Sequence, residues 1–278
     1  KWTFILLFLL AVGVFIFINT SAEFGGDHSD EDIARYEKTG HYKEDVFFNP
    51  VETTRGFSWD VFVKTFKEYL KENPNRDPQV ELPLVKQDSL KLEQTKNESK
   101  LIWFGHSAFL LQLDGKNILL DPMLGEAPSP VKWLSRKRYS KELPLAIAEL
   151  PQIDFVFISH DHYDHLDLET IDLIKDKVGH FIVPIGVGAH FKSWDVPASK
   201  IHEFNWWEEK KIKNTTFTFI PVQHWSRRGL FDKNKTLWGG WWIENDNIKL
   251  VHLGDTGYTN DFIEINKRLG SPDLAFIP

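Results

Sequence analysis

The residues best suited to chemistry form one short run, Ser159-His160-Asp161-His162-Tyr163-Asp164-His165. Three imidazoles and two carboxylates occupy the six positions from His160 to His165. Neutral imidazole and carboxylate are ligands for zinc, manganese or iron, and the absence of Cys excludes thiolate ligands. A polar loop with fortuitous histidines is the weaker interpretation, because burying this many titratable groups without a cation is costly. The run therefore predicts a divalent-metal site.

The elements that must position this site are short apolar runs, each of which ends in a polar residue. These runs are 118–120 before Asp121, 155–158 before Ser159 and His160, 217–222 before Gln223 and His224, and 250–253 before Gly254 and Asp255. Buried strands that release polar residues at one end predict a site along the edge of a sheet. The pair Asp114-Gly115 between two apolar runs predicts a hairpin, and Asp167 is expected to cap a helix that begins at Leu168. The alternation of strands and helices predicts an α/β fold.

Composition bounds the class of protein. The chain has 278 residues with 40 acidic and 33 basic side chains, a net charge of −7, which disfavours binding to nucleic acid. Zero Cys excludes disulfides but does not decide the compartment. The length suffices for one large domain or two small ones with a buried core.

The N-terminal segment is unlike the body. Residues 2–18 carry no charge and are followed by acidic positions from Glu23 onward. We expect residues 1–22 to form an uncleaved, single-pass membrane anchor, or a signal segment cleaved near Thr20-Ser21-Ala22, in preference to a buried helix. In both favoured cases the body is extracytoplasmic.

Residues 23–99 are predicted to be a helical arm and polar linker, and residues 100–278 the body. Ser58 is expected to cap a helix that ends at Asn73-Pro74. Its apolar positions follow the spacing i, i+3, i+4, i+7, which predicts that one face docks onto another surface. These positions are Trp59, Phe62, Val63, Phe66, Tyr69 and Leu70.

The pattern His160-x-His162-x-Asp164-His165, with His224 and Asp255 downstream, resembles the metallo-β-lactamase fold. More narrowly, residues 47–278 resemble, in order, the N-acylphosphatidylethanolamine-hydrolysing phospholipase D group and its bacterial relatives. The further segments that carry the resemblance are Trp103-Phe104-Gly105-His106, Leu120-Asp121-Pro122, Glu149-Leu150-Pro151-Gln152-Ile153-Asp154, Trp206-Trp207-Glu208-Glu209, Gln223-His224-Trp225 and Gly254-Asp255-Thr256-Gly257-Tyr258. The resemblance implies a four-layer αββα fold whose second half is incomplete here.

The resemblance also implies a set of roles. His160, His162 and His224 would hold a first zinc ion, Asp164 and His165 a second, and Asp255 would bridge the two. Asp121 would orient a ligand imidazole by a hydrogen bond. His106 would either line the site in a catalytic role or pack structurally. The family supplies a further His to the second zinc beyond Pro278, so we expect that the chain is a fragment or that its second site is one ligand short.

The chemistry implied is hydrolysis of a phosphodiester. Two cations roughly 3.5–4 Å apart would lower the pKa of a bridging water, and the resulting hydroxide would attack phosphorus. Asp164 could also accept a proton during the attack. The resemblance implies release of phosphatidic acid and an N-acylethanolamine. The alternatives are hydrolysis of another ester or a lactone, and a non-catalytic membrane-tethered domain, which the intact ligand set disfavours.

The candidates for substrate binding are Trp206, Trp207, Arg227 and Tyr258. A basic stretch from Lys132 to Lys141, interleaved with aromatic residues, could meet anionic lipid headgroups or be a solvated loop. The partners predicted are therefore a phospholipid or another small ester, and a membrane. The oligomeric state is not predicted.

Overall fold

The computed structural model describes residues 2–51, 58–212 and 214–278. Lys1, the first residue of the predicted anchor, and residues 52–57 of the predicted arm lie outside the described residues. The helices are α1 (Trp2–Thr20), α2 (Asp30–Tyr36), α3 (Trp59–Leu70), α4 (Ser89–Gln94), α5 (Leu168–Ile174), α6 (Gly188–Ser193) and α7 (Asp261–Leu269). The strands are β1 (Tyr42–Lys43), β2 (Val46–Phe47), β3 (Lys100–Gly105), β4 (Ala108–Leu113), β5 (Lys116–Leu120), β6 (Ile153–Phe157), β7 (Val178–Pro184), β8 (Ile201–Phe204), β9 (Glu209–Ile212), β10 (Thr215–Ile220), β11 (Gly240–Glu244), β12 (Lys249–His252) and β13 (Leu274–Phe276).

The first sheet contains six strands in the order β3-β4-β5-β6-β7-β8. β4 and β5 form the predicted hairpin, and its turn residues Asp114 and Gly115 both have positive φ, 51° and 67°. This is the conformation that a two-residue turn needs if it is to match the twist of its strands. From β5 to β8 the strands are parallel, so their carboxyl ends share one edge of the sheet. Asp121 and His160 follow β5 and β6 at that edge.

The second sheet contains five strands in the order β13-β12-β11-β10-β9. β10 and β12 each pair antiparallel with β11, so β10 and β12 run in the same direction. His224 and Asp255, which follow these two strands, consequently leave the same edge of the second sheet.

The core lies between the sheets and on the outer face of the first. Phe157 of β6, Phe217 of β10 and Trp241 of β11 meet between the sheets, with Phe157 at a centroid distance of 5.0 Å from each of the other two rings. Ile171 of α5 and Phe191 of α6 belong to the cluster on the outer face of the first sheet. α7 connects the parallel strands β12 and β13 and covers the second sheet. The predicted four-layer αββα arrangement is thereby confirmed.

α1 is long and apolar enough to cross a membrane, with a mean hydropathy of 2.5, and none of its residues is buried. A signal sequence would have the same properties, so the anchor and the signal segment both remain open. The less favoured alternative, a buried helix, is wrong.

α3 begins at Trp59 as expected, and the docking of its apolar face stays a prediction. None of its residues is buried, and its apolar positions stay 42–69% exposed. The side chain of Ser58 makes no capping hydrogen bond, and the helix ends at Leu70, before the predicted stop. Apolar spacing reports which face a helix would bury, not whether a surface of the same chain is there to meet it.

Residues 22–49, here called the strap, are the part of the predicted arm that joins the body. Tyr36, Tyr42 and Phe47 belong to the cluster between the sheets, and Tyr36 and Phe47 are completely buried. The strap therefore supplies part of the core that supports the site. The domain boundaries drawn from the sequence stay a prediction.

Candidate metal centre

The first cluster consists of His160, His162 and His224. The Nε2 atom of His160 lies 2.9 Å from Nδ1 of His162 and 3.2 Å from Nε2 of His224. Nδ1 of His162 and Nε2 of His224 are also 3.2 Å apart. Three ring nitrogens from two sheets thus converge on one point.

The donor set of this cluster fits a divalent cation. Ser159 must donate its hydroxyl proton to Asp121, because a carboxylate only accepts, and the Oγ atom then accepts from Nδ1 of His160 at 2.9 Å. Nε2 of His160 is left with a lone pair that points at two other ring nitrogens. Burial and the neighbouring His165 and His224 hold the pKa of His160 well below its usual range, so the ring is neutral. One cation can bind the lone pairs of all three nitrogens at once, whereas one proton is shared by only two of them.

The second cluster consists of His106, Asp164 and His165, whose ligand atoms also lie close together. Nε2 of His106 lies 3.3 Å from Nε2 of His165 and 3.2 Å from Oδ2 of Asp164. Partial burial opposes the charge on Asp164, but the contact with His106 and the charge of His165 hold the pKa of Asp164 below its usual range. Asp164 therefore stays an anion, as a metal ligand must be.

Asp255 joins the two clusters. One carboxylate oxygen lies 3.4 Å from Nε2 of His165, and the other lies 3.8 Å from Nε2 of His224. The contact with His165 and its charge lower the pKa of Asp255. The structure thus places one carboxylate between the two clusters, in the position from which a residue can contact both cations.

Asp121 is fully buried and accepts four hydrogen bonds next to the second cluster. Its carboxylate accepts from the backbone NH and the hydroxyl of Ser159, both at 2.6 Å, from Nδ1 of His165 at 2.8 Å and from Nε2 of His252 at 2.7 Å. Burial alone would lower the pKa of His165, but Asp121, together with Asp255 and Asp164, raises it to about 10. A ligand role for His165 requires only loss of the Nε2 proton, because Asp121 keeps the Nδ1 proton. Sequence reasoning missed His252, which lies only three positions before Asp255 on a strand pointing into the site.

Asp161 is a second buried carboxylate, which the sequence did not single out. It accepts from the backbone NH of Arg227 at 2.8 Å and from the Thr236 hydroxyl at 2.9 Å, and it lies 3.5 Å from Nε2 of His190. Burial opposes the charge, yet the contacts with His190 and Thr236 and the charge of His162 lower the pKa of Asp161 to about 2. Nδ1 of His190 accepts in turn from the backbone NH of Gly26 in the strap, at 3.2 Å. No local signal links these distant positions, so the sequence could not have revealed the network.

The strap touches the site at two further points. The side chain of Asn49 donates to the carbonyl of His224 at 2.8 Å. Tyr163 lies within residues 159–165, here called the metal-binding loop after the His/Asp motif that they carry. Its hydroxyl donates to the carbonyl of Glu23 at 3.1 Å. Arg228, whose guanidinium is fully buried, donates to the same Glu23 carbonyl at 2.9 Å. Glu23, three residues after the end of α1, thereby contacts the metal-binding loop directly.

The four predicted substrate-binding residues have different surroundings. Trp206 is only 4% exposed and donates its indole NH to the Trp238 carbonyl, so it packs in the core, and its contact with substrate stays a prediction. Trp207 packs under the guanidinium of Arg268, at 4.1 Å. The Arg227 side chain donates to the carbonyls of residues 229 and 230 and braces its own turn. Tyr258 is 96% exposed near Asp255, and its role stays a prediction.

Comparison with known proteins places these features in a family. Residues 116–278 match the model of the β-lactamase superfamily domain. The N-acyl-phosphatidylethanolamine-hydrolyzing phospholipase D 1 of Caenorhabditis elegans is 30% identical over 266 residues, which cover 90% of this chain and 73% of that protein. A metal-dependent hydrolase of Caldivirga maquilingensis is 30% identical over 179 residues, 64% of this chain and 68% of that one.

Two further matches show how much of this chain and of its relatives the similarity covers. An uncharacterized protein of Mycobacterium tuberculosis is 41% identical over 177 residues, 63% of this chain and 47% of its own length. The chain therefore spans about half the length of this relative. The crystal structure of CmlA, a diiron β-hydroxylase from Streptomyces venezuelae, superposes with a TM-score of 0.50 at 21% identity, over 65% of this chain and 34% of that one. At that identity the likeness concerns the fold alone.

Proposed function

The chain belongs to the metallo-β-lactamase superfamily of metal-dependent hydrolases, and from this membership we propose that it hydrolyses a phosphodiester bond of N-acylated phosphatidylethanolamine-type lipids with two zinc ions. The observation that carries the proposal is Asp255, whose two carboxylate oxygens face the two clusters. Such a carboxylate is what a site for a pair of cations needs.

The residues divide the work as follows. His160, His162 and His224 would hold one cation, Asp164 and His165 would hold the other, and Asp255 would serve both. Bound zinc ions would supply a nucleophilic water at neutral pH and neutralise charge on the phosphoryl oxygens. Asp121 holds the Nδ1 proton of His165 and so keeps the ring oriented with Nε2 toward the site. Asp164, an anion at 39% side-chain exposure, is the group placed to accept a proton from the attacking water.

Two features support a lipid substrate. The named activity of the Caenorhabditis elegans relative is on N-acyl-phosphatidylethanolamine. In this chain, the contacts of Glu23 hold the end of α1 beside the metal-binding loop, so an α1 inserted in a bilayer would keep the site near the membrane surface. Trp133 and Leu134, 80% and 69% exposed, adjoin Lys132, whose charge acts on Glu23. We expect α1 to be an uncleaved anchor with the body on the extracytoplasmic side, and secretion after cleavage is the alternative.

The test uses the full chain in detergent, loaded with zinc, and N-acylphosphatidylethanolamine in mixed micelles. In water enriched in heavy oxygen, we expect mass spectrometry to find the label in phosphatidic acid, because attack at phosphorus breaks the bond to the ethanolamine oxygen. Asp164→Asn should lower the rate by at least about 100-fold. Asp172→Asn, the same change at an exposed position of α5, is the matched control and should leave the rate unchanged.

Other outcomes would identify the alternatives. Label in the N-acylethanolamine would contradict attack at phosphorus. Turnover of a lactone or a carboxylic ester without turnover of the phosphodiester would indicate a different hydrolase on the same fold. Absence of turnover on all three would favour a non-catalytic tethered domain.

A further inference from the structure

We propose that His106 is a ligand of the second cation, alongside Asp164, His165 and Asp255. The inference rests on the proposed function, since it presupposes two cations. It assigns to a residue of the first sheet a metal-binding role that the His/Asp motif does not include. Because His106 comes from the β3–β4 turn, the second cation would also tie that turn to the metal-binding loop.

The distances favour coordination over a hydrogen bond. Where a His and a carboxylate are hydrogen-bonded in this site, at Asp121, the atoms are 2.7 and 2.8 Å apart. Nε2 of His106 is 3.2 Å from Asp164 and 3.3 Å from Nε2 of His165. Ligand atoms that each lie about 2.1 Å from a tetrahedral zinc are roughly 3.4 Å from one another. The His106 contacts therefore have the spacing of ligands around a shared ion.

The backbone is shaped to aim this ring. His106 has φ of 48° and follows Gly105, with φ of 101°, at a register irregularity between β3 and β4. A left-handed conformation is uncommon for residues other than Gly, although Asn, Asp and His adopt it more readily than most. The indole NH of Trp103 donates to the His106 carbonyl at 2.8 Å and fixes the turn. Such conformations concentrate at functional sites, where surrounding contacts hold them.

The His106 ring lies at the solvent-exposed side of the second cluster. The His106 side chain is 51% exposed, whereas His165 is completely buried. The two imidazoles meet edge to face, with centroids 5.0 Å apart, and their Nε2 atoms lie 3.2 Å (His106) and 3.9 Å (His165) from Oδ2 of Asp164. Two imidazoles and two carboxylates form a ligand set suited to zinc, manganese or iron. The second cation would therefore be bound at the open side of the site, and the first at its closed side.

Metal stoichiometry and affinity test the inference without relying on activity. His106→Asn removes the imidazole but keeps a residue that tolerates the left-handed conformation. Zinc titration against a competing chelator should show two ions bound to the wild type. In the variant, the second ion should bind more weakly by at least the 10–100-fold that loss of an outer partner typically costs, with the first ion unaffected. His180→Asn, at an exposed position of β7, is the matched control and should bind both ions as the wild type does.

The outcomes separate this inference from the proposed function. Two ions bound with unchanged affinity in His106→Asn would overturn the His106 assignment and leave the two-zinc hydrolase standing. Fewer than two ions in the wild type would overturn both. A direct measurement on the wild type decides the bond itself: in cadmium-substituted protein with isotope-labelled histidine, NMR should show coupling between cadmium and Nε2 of His106. Absence of that coupling, with coupling present at His165, would refute the assignment.

Discussion

Two buried carboxylates support the metal-binding loop: Asp121 follows β5, Asp161 lies within the loop itself, and the two contact different parts of the site. Asp121 contacts the imidazole of His165 and, through the Ser159 hydroxyl, the imidazole of His160. Asp161 contacts the Thr236 hydroxyl and the backbone NH of Arg227, neither of which we place among the metal ligands. Asp121 thus hydrogen-bonds to a ligand ring, and Asp161 hydrogen-bonds to the scaffold that carries the ligands.

The two carboxylates therefore have different effects: Asp121 sets the protonation and orientation of ligand imidazoles, and Asp161 holds the surrounding backbone in place. Asp121 holds the Nδ1 proton of His165 directly and the orientation of His160 through a hydroxyl, so it controls which ring nitrogens face the cations. Asp161 connects the loop through His190 to Gly26 in the strap. We infer that disturbing Asp121 changes metal binding and stability together, whereas disturbing Asp161 changes stability alone.

The largest effect is expected for Asp121→Ala. His165 and His252 would lose their buried acceptor, which should lower the free energy of unfolding of the metal-free protein by about 3–5 kcal/mol. Zinc affinity should fall by about 10–100-fold, because the His165 ring is no longer oriented. Urea denaturation with a chelator present and a competition titration measure the two quantities. Asp161→Ala should give a comparable loss of stability with unchanged zinc affinity, and a parallel loss of affinity would break the comparison.

A smaller effect is expected from acid. The pKa of Asp161 is lowered to about 2 from an ordinary value of 3.8, so its stabilising contribution is present above the ordinary value and is lost as pH falls through the folded one. Such a shift corresponds to roughly 2 kcal/mol. The stability advantage of wild type over Asp161→Asn, measured by urea denaturation of metal-free protein, should be constant near neutral pH and shrink by that amount between pH of about 5 and about 2. An advantage that stays constant across this range would show that Asp161 does not titrate as described.

The sequence predicted the Asp121 side of the site and missed the Asp161 side for a physical reason. Asp121, His160, His224 and Asp255 each follow an apolar run, and strands running in the same direction bring such residues to a common edge. Thr236 reaches Asp161 from a loop and His190 reaches it from α6, and neither contact follows a periodic pattern in the chain.

In the N-terminal region, too, the apolar spacing in the sequence does not show which residues the structure buries. α3 has the regular apolar spacing that predicts docking, yet none of its residues is buried. The strap has no such spacing, yet it buries Tyr36 and Phe47 completely. Trp206, which the sequence offers as a substrate-binding candidate, is buried in the core, where its indole NH donates to the Trp238 carbonyl. Local periodicity describes an element, whereas burial depends on which surfaces the whole fold brings together.

The smallest effects are expected when each carboxylate loses one hydroxyl group that donates a hydrogen bond to it. These two variants compare the carboxylates most directly. Ser159→Ala deletes the hydroxyl that donates to Asp121 at 2.6 Å, and Thr236→Val deletes the one that donates to Asp161 at 2.9 Å. Each variant should lose about 1.5–3 kcal/mol of stability, the usual value for a hydrogen bond to a charged group. Only Ser159→Ala also removes the acceptor for Nδ1 of His160, so only this variant should bind the first zinc ion more weakly. Equal zinc affinities in the two variants, measured by chelator competition, would mean that the two carboxylates do the same work.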